Sequence, residues 1–474
     1  MTAENRTATG ARILICDLIG LRKGPDGVPD PSEARAYIEE TGGAFHAGGV
    51  GDSGTLEAGK LHYFYLPHLS TEAEFLAEAG DGQYDAVIAA ASFIPEAAVF
   101  PLGGVRIGAG TGNMGSRSWG GPNGGGDAPL MNTPGINSRT TAQMVFKAIL
   151  KVRPDLDVDD MANRVAAGDF DTGKDLRDYP TTKLEGLRLG VVGYGNIGRE
   201  VAKLGRAFGM DVTVHARPRH RAWIESEGFR FADDIVDAAR DADVFSVHVG
   251  LGARDPETGR YANAGLVGGT VLSALADNAL VVNYDRGELV DVAALGQAMR
   301  SGKVGHAAID ADLFKDASDG ALSGPMLPYL DLVGEFGDRL ELLPHAAADT
   351  DHPTRVAGAR QAVDQIRAAI LDKRVINGKG KLPTGYTSGG GVLPKGIGGV
   401  DSPRLANLLE QHEQAQQAAK DAATIAAFFE KAAGLNEPSE LRAYAGEGGE
   451  DLMMAMNRLM ALAHAGGLDG PFSG

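Results

Sequence analysis

The stretch VVGYGNIGREVAKLGRAFG, residues 191–209, constrains this chain more than any other. Gly193, Gly195 and Gly198 form G-x-G-x-x-G directly after the apolar run LRLGVV and directly before an amphipathic helical pattern. A bare glycine pattern of this kind also fits an incidental turn, so the flanking strand and helix carry the argument. The glycines permit a tight turn and a close backbone approach. The helix N-terminus behind them offers free N–H groups and a dipole that favours an anion. The spacing therefore predicts that Gly193, Tyr194, Gly195, Asn196, Ile197 and Gly198 cradle the pyrophosphate of a dinucleotide.

The runs DVTVHA, DVFSVHV, ALVVNYD, HAAID and LELLPH follow, with helical patterns between them. Strands and helices alternating at this spacing predict an α/β domain with a doubly wound parallel sheet. An earlier series, RILICDL, YDAVIAAAS and GVRIGAG, has the same grammar. Residues 112–128 are so rich in Gly, Asn and Pro that they read as a long surface loop carrying Arg117 and Trp119. Residues 378–400 read as a linker by composition. Beyond it, Ser402 as an N-cap and Pro403 at the first helical position open a helical extension over 401–474. Its Met453, Met454, Met456 and Met460 suit core or interface packing better than a ligand site.

Charge enters the argument at VTVHARPRHR, residues 212–221, which concentrates His215, Arg217, Arg219, His220 and Arg221 in a chain of net charge −18. In dinucleotide-binding units the second strand normally ends in an acid that bonds the adenosine ribose. Here that place falls on Ala216, followed by Arg217 and Arg219. An acid would repel a 2′-phosphate, whereas arginines bind one, so the pattern points to NADP, with NAD as the other possibility and a solvated basic loop as the plain alternative. The acidic balance argues against a nucleic-acid partner. The single Cys16 excludes an intramolecular disulfide framework and reads as strand packing. With no apolar leader and no long apolar run, the chain reads as soluble and cytoplasmic, without a membrane partner.

The segments MNTPGINSRTTAQ (131–143), SVHVGL (246–251), VVNYDRGELVD (281–291), HAAID (306–310) and LLPHAA (342–347), taken with the glycine motif, resemble the D-isomer-specific 2-hydroxyacid dehydrogenases. The resemblance is strong from about Met131 to Asn377 and traceable from Arg12. It implies a Rossmann cofactor domain at 147–345 inserted in a flavodoxin-like substrate domain made of 1–146 and 346–377. It also implies a homo-oligomer acting on a small 2-oxo or 2-hydroxy acid. Carried over position by position, Arg286 anchors the substrate carboxylate and His345 moves the proton. Asp310 addresses the nicotinamide carboxamide, and His248 lies in a cofactor-contacting strand end. Thr111 and Gly112, in GAGTGNMG, offer backbone N–H groups to the substrate.

The chain departs from the family in several places. Lys315 stands where an ungapped count puts the glutamate that pairs with the histidine, and Asp312 or Asp316 is the replacement candidate. Tyr284 and Asp285 replace the usual small residues before the arginine. Asp285 is read as a cofactor or substrate contact, an alternative charge partner, or a solvated acid. VIAAASFIP (87–95) lacks the arginine of phosphoglycerate-using relatives, and the loop with Arg117 and Trp119 either caps the site or decorates the surface. The implied activity is NADP-preferring interconversion of a 2-oxo acid and a D-2-hydroxy acid, with no metal. A dinucleotide-sensing, corepressor-like interaction protein is the alternative.

Overall fold

The structure is a computed structural model that describes residues 10–69, 71–80, 82–252, 255, 257–315, 320–345, 347, 351–391 and 402–465, the side chains of the last stretch from 415 to 460. It divides into two compact units, Met1–Val400 and Asp401–Gly474.

The first sheet is built from β1 (Ala11–Ile15), β2 (Ala44–His46), β3 (Leu61–Tyr65), β4 (Ala86–Ala89), β5 (Gly103–Arg106) and β6 (Leu130–Asn132), parallel in the order β6-β5-β4-β1-β3-β2. Apart from the edge strand β2, its strands are short, largely apolar runs with both faces buried, the pattern that a helix-covered parallel sheet demands. The Gly-rich segment after β5 is irregular and in large part exposed, as its composition predicts, but it is anchored to the core. Trp119 is fully buried, stacks on Phe100 with ring centroids 5.9 Å apart, and donates its indole N–H to the Met114 carbonyl at 2.8 Å. Its large apolar ring outweighs the surrounding glycines and ties the loop to the core, so Trp119 caps nothing. Arg117 remains exposed.

The second sheet contains β7 (Arg188–Val192), β8 (Asp211–His215), β9 (Arg230–Ala232), β10 (Val244–Val247), β11 (Ala279–Asn283) and β12 (Val304–Ala311). A two-stranded hairpin follows, β13 (Phe314–Lys315) with β14 (Leu322–Ser323), and then β15 (Leu340–Pro344) at the sheet edge. The order β15-β12-β11-β10-β7-β8-β9 is parallel throughout. The winding reverses between β7 and β10, and such a switch point opens a crevice at the carboxyl ends of the strands. One face buries Phe245, Val281 and Ile309 against Leu295, Met299 and Tyr329. The other buries Val191, Val214 and Val282 against Ala142, Val145 and Ile149 of the helix Ser138–Val152. That helix joins this core before residue 147.

The helix His352–Leu371 returns to the first sheet, where Ala362, Val363 and Ile366 pack with Ile13, Ile88 and Val105. The stretch expected to run free from 378 instead adds strands. β16 (Arg374–Val375) pairs with β18 (Thr387–Ser388), and β17 (Gly378–Lys379) lies antiparallel to β6. The second unit is a hairpin of helices Ser402–Ala433 and Pro438–Ala465. Within it Asp421 is buried and accepts two bonds from Arg458, at 2.9 and 2.8 Å, while Phe428 stacks on Tyr444. Met453, Met454, Met456 and Met460 lie exposed. Among the described residues no helix is long and apolar enough to cross a membrane.

Candidate active site

The glycine loop leaves β7 at the switch point. Gly193 has φ +96°, and a Cβ there would collide with the His248 carbonyl. A Cβ on Gly198 would collide with the Gly193 carbonyl, so the helix Asn196–Ala207 starts hard against the loop. Gly195, its N-cap, differs: its backbone is extended (φ −85°, ψ −162°) and nothing lies within 4 Å of where a Cβ would sit. The first intrahelical bond runs from Arg199 N–H to the Gly195 carbonyl, which leaves the N–H groups of Asn196, Ile197 and Gly198 without a helical acceptor. Open space above unpartnered donors fits a pyrophosphate. Tyr194 contributes only backbone, because its ring is buried and its hydroxyl donates to Glu227, which also binds Arg199.

His248 forms the floor of this loop. It is buried, shares a 2.8 Å hydrogen bond between Nε2 and Ser246 Oγ, and is pushed down to about 3 by desolvation. It is therefore neutral at physiological pH and shapes the loop through its carbonyl.

The adenosine side lies beyond β8, which is fastened to the loop by a 2.8 Å bond from Gly193 N–H to the His215 carbonyl. Ala216 is buried, while Arg217 and Arg219 are exposed. Arg221 is already engaged, at 3.0 Å from both Asp233 oxygens and stacked over Phe231. The guanidinium of Arg217 has no hydrogen-bond or ion-pair partner among the described residues, and Arg219 reaches only His220 at 3.4 Å.

At the ends of β11, β12 and β15 the charged residues converge. Asn283 donates to the Arg286 carbonyl at 2.7 Å and fixes the turn after β11. The Arg286 guanidinium contacts the Asp285 carbonyl (2.9 Å) and His345 Nε2. His345, held by its own N–H on the Ala311 carbonyl (3.0 Å), places Nδ1 3.3 Å from the buried Asp310 carboxylate. A guanidinium only donates, so Nε2 accepts, and the ring proton sits on Nδ1 facing Asp310. Burial raises the Asp310 carboxyl above its ordinary range although His345 opposes the rise.

This geometry puts another carboxylate beside the histidine. Asp310 occupies the position beside His345 that was sought in Asp312 or Asp316. β12 ends at Ala311, and the chain turns at Asp312, whose carbonyl accepts Met326 N–H at 3.0 Å. Asp316 lies outside the described residues, and Lys315 is exposed on β13. Tyr284 is buried with its hydroxyl on Glu341, which pairs with Lys151 at 3.1 Å.

The loop at 108–112 approaches from the first sheet. A Cβ on Gly110 would lie 3.1 Å from Arg286 Nη2. The Thr111 hydroxyl is occupied by the Pro122 carbonyl at 2.7 Å, but the N–H groups of Thr111 and Gly112 donate to no acceptor among the described residues. Buried Asn132 and Thr133 hold this loop: Thr133 Oγ1 accepts Gly108 N–H at 2.7 Å, Asn132 Nδ2 donates to the Ala109 carbonyl, and Gln365 donates to the Asn132 carbonyl at 2.9 Å. Sequence reading missed this supporting role of MNTPG, for which two adjacent buried polar residues after a strand were the available signal.

A glycine loop at a sheet switch point, with an arginine, a histidine and a carboxylate gathered at neighbouring strand ends, is the arrangement of the nucleotide-dependent oxidoreductases. The chain belongs to the D-isomer specific 2-hydroxyacid dehydrogenase family, whose NAD-binding domain matches residues 156–318. It is 31% identical over 245 residues to a glyoxylate reductase of Aeropyrum pernix, covering 52% of this chain and 67% of that one. It is 28% identical over 251 residues to a D-3-phosphoglycerate dehydrogenase of Methanocaldococcus jannaschii, covering 52% of this chain but only 43% of that one. The NAD+-bound 3-phosphoglycerate dehydrogenase of Entamoeba histolytica shares the fold, with a TM-score of 0.53 at 18% identity over 79% of this chain and 99% of that chain. Membership makes the chain an NAD(P)-dependent oxidoreductase.

Proposed function

We propose that this oxidoreductase interconverts a 2-oxo acid and a D-2-hydroxy acid and prefers NADP(H). The observation that carries the reading is His345 held between Asp310 and Arg286 at the strand ends. The bound nicotinamide supplies or takes the hydride at substrate C2. Arg286 clamps the substrate carboxylate, helped by the N–H groups of Thr111 and Gly112. Substrate entering there takes the place of the Arg286 contact at His345 Nε2. Protonated at both nitrogens, His345 keeps Nδ1–H on Asp310 and donates from Nε2 to the carbonyl oxygen as it gains charge; oxidation reverses the transfer. Asp310 orients the ring and stabilises the imidazolium.

The NADP preference rests on Ala216 in place of an acid and on the unpartnered Arg217, with Arg219 beside it. Asp310 takes the histidine partner's role; Asp285, His248 and the glycine loop stay on the cofactor side. Without an arginine at 87–95, the substrate is unphosphorylated and small, as the glyoxylate reductase likeness also favours. A homo-oligomer is supported by the exposed Val158 (61%) and Val165 (60%) on the helix Val158–Ala167, which buries none of its own residues. The retained Arg286 and His345 favour turnover over the corepressor-like alternative. Protein presented with NADPH and 2-oxo acids from glyoxylate upward should oxidise the cofactor. Arg286→Ala and His345→Ala should each lower kcat/KM by about 10²- to 10⁴-fold. Unchanged activity in either variant overturns the roles.

A further inference from the structure

Asp285 is the charged group at the reacting end to which the proposed reaction gives no task. It sits between buried Tyr284 and Arg286 at the end of β11, half-buried. Its carbonyl receives Arg286 Nη1, but its carboxylate has no hydrogen-bond or ion-pair partner among the described residues. The groups that face it are Arg286 on its own segment, Asp310 from β12 and His345 from the end of β15. Burial pushes its carboxyl up to about 6; Asp310 adds to the rise, and Arg286 and His345 oppose it.

Two carboxylates thus share a site with one guanidinium and one imidazole, and His345 already occupies Asp310. A half-buried carboxylate without a partner gains from an arriving cation and loses from an arriving anion. A 2-oxo or 2-hydroxy acid brings only negative charge. The oxidised nicotinamide ring is cationic and the reduced ring is neutral. Asp285 lies one residue before the arginine that clamps substrate in the proposed reaction, so on that reading it stands at the end of the cleft where the ring meets substrate C2.

Resting on the dinucleotide reading, we propose that the Asp285 carboxylate discriminates the redox state of the cofactor, holding the oxidised nicotinamide more tightly than the reduced one. On the protein this pulls the bound equilibrium toward oxidised cofactor and hydroxy acid, and it slows release of the oxidised cofactor. Protonation of Asp285 removes the preference.

Direct titration of the full chain with NADP+ and with NADPH, without substrate, at pH 8 and pH 5, tests this. Asp285→Asn should weaken NADP+ about tenfold at pH 8, while NADPH changes by less than about twofold. The wild-type protein should lose about fivefold in NADP+ affinity between pH 8 and pH 5 beyond any loss in the variant, which keeps every other ionisable group of the site and of the cofactor. Asp285→Ser, smaller and equally neutral, should reproduce the Asn result and serves in its place if Asn does not fold. Equal weakening of both cofactor forms, no weakening, or disagreement between the two variants overturns the inference. Failure of wild-type protein to bind either cofactor would instead sink the dinucleotide reading.

Discussion

Gly195→Asp separates cofactor binding from folding more cleanly than any other change in the glycine loop. Residue 195 is an N-cap with an extended backbone that suits Asp, and no atom lies within 4 Å of the new Cβ. Asp157, Asp234, Asp291 and Asp351 already cap four other helices of this chain through the side chain. The substitution should therefore leave stability unchanged or raise it by about 0.5 kcal/mol. The same carboxylate takes up helix N–H groups and stands where the pyrophosphate must lie. At about 4 Å and an effective dielectric constant of about 20, each like-charge pair costs about 4 kcal/mol. Even after relaxation, a loss of at least about 100-fold in NADPH affinity follows. Thermal unfolding with and without NADPH, followed through the fluorescence of half-exposed Trp223, reads both effects. At NADPH near 100 times the wild-type Kd, the roughly 2.7 kcal/mol of ligand stabilisation should vanish in the variant while its Tm without ligand holds. Gly198→Ala should do the reverse at the level of folding, because its Cβ meets the Gly193 backbone and overpacking costs about 1–3 kcal/mol. A Gly195→Asp protein that NADPH still stabilises as it does the wild type would refute the placement of the pyrophosphate.

Other outcomes follow from the same geometry. Arg217→Ala should raise the Michaelis constant for NADPH about 10- to 100-fold and leave that for NADH within about twofold; equal effects on the two cofactors would count against a 2′-phosphate contact. His248 is neutral and held at about 3 when folded. The unfolded chain takes up that proton below about pH 6.5, so His248 contributes a stability loss approaching 1.4 kcal/mol per pH unit as pH falls toward 3. Urea unfolding at pH 7 and pH 5 should show about 2 kcal/mol of acid sensitivity that His248→Gln removes. Asp310→Asn keeps the shape but not the charge that stabilises the imidazolium, and should lower kcat about 10- to 100-fold with KM for the 2-oxo acid nearly unchanged. A rise in KM alone would assign Asp310 to binding.

The cofactor cradle was legible because its causes are local: three glycines, a strand and a helix lie within 20 residues of one another. Arg286 and His345 were legible only through motif resemblance, since 59 residues separate them and the contact depends on how β11 and β15 end. The carboxylate beside His345 was hard to read for the same reason. Counting along the chain takes no account of how β12 ends, which sets Asp310 3.3 Å from His345 Nδ1. Trp119 was misplaced because glycine content describes backbone freedom and says nothing of what one large ring buries. That the second sheet is parallel and doubly wound followed from strand and helix alternation, whereas β16, β17 and β18 rest on pairings of two residues each, too short for any periodic signal.

Net charge sharpens the role of the basic loop. The repulsion that a chain at −18 exerts on a cofactor carrying a pyrophosphate and a 2′-phosphate is largely screened beyond about 8 Å, the screening length at physiological salt. Inside that distance the local field decides, and Arg217 and Arg219 supply positive charge that no acid among the described residues neutralises by direct contact. Arg221, neutralised by Asp233, adds little. Salt therefore acts with opposite signs on the two rates: it screens the general repulsion and speeds association, and it weakens the arginine contacts and speeds release. NADH lacks the 2′-phosphate and feels mainly the first effect. Raising ionic strength should then weaken NADPH more than NADH, and that difference should disappear in Arg217→Ala. A salt response common to both cofactors would place the discriminating charge elsewhere.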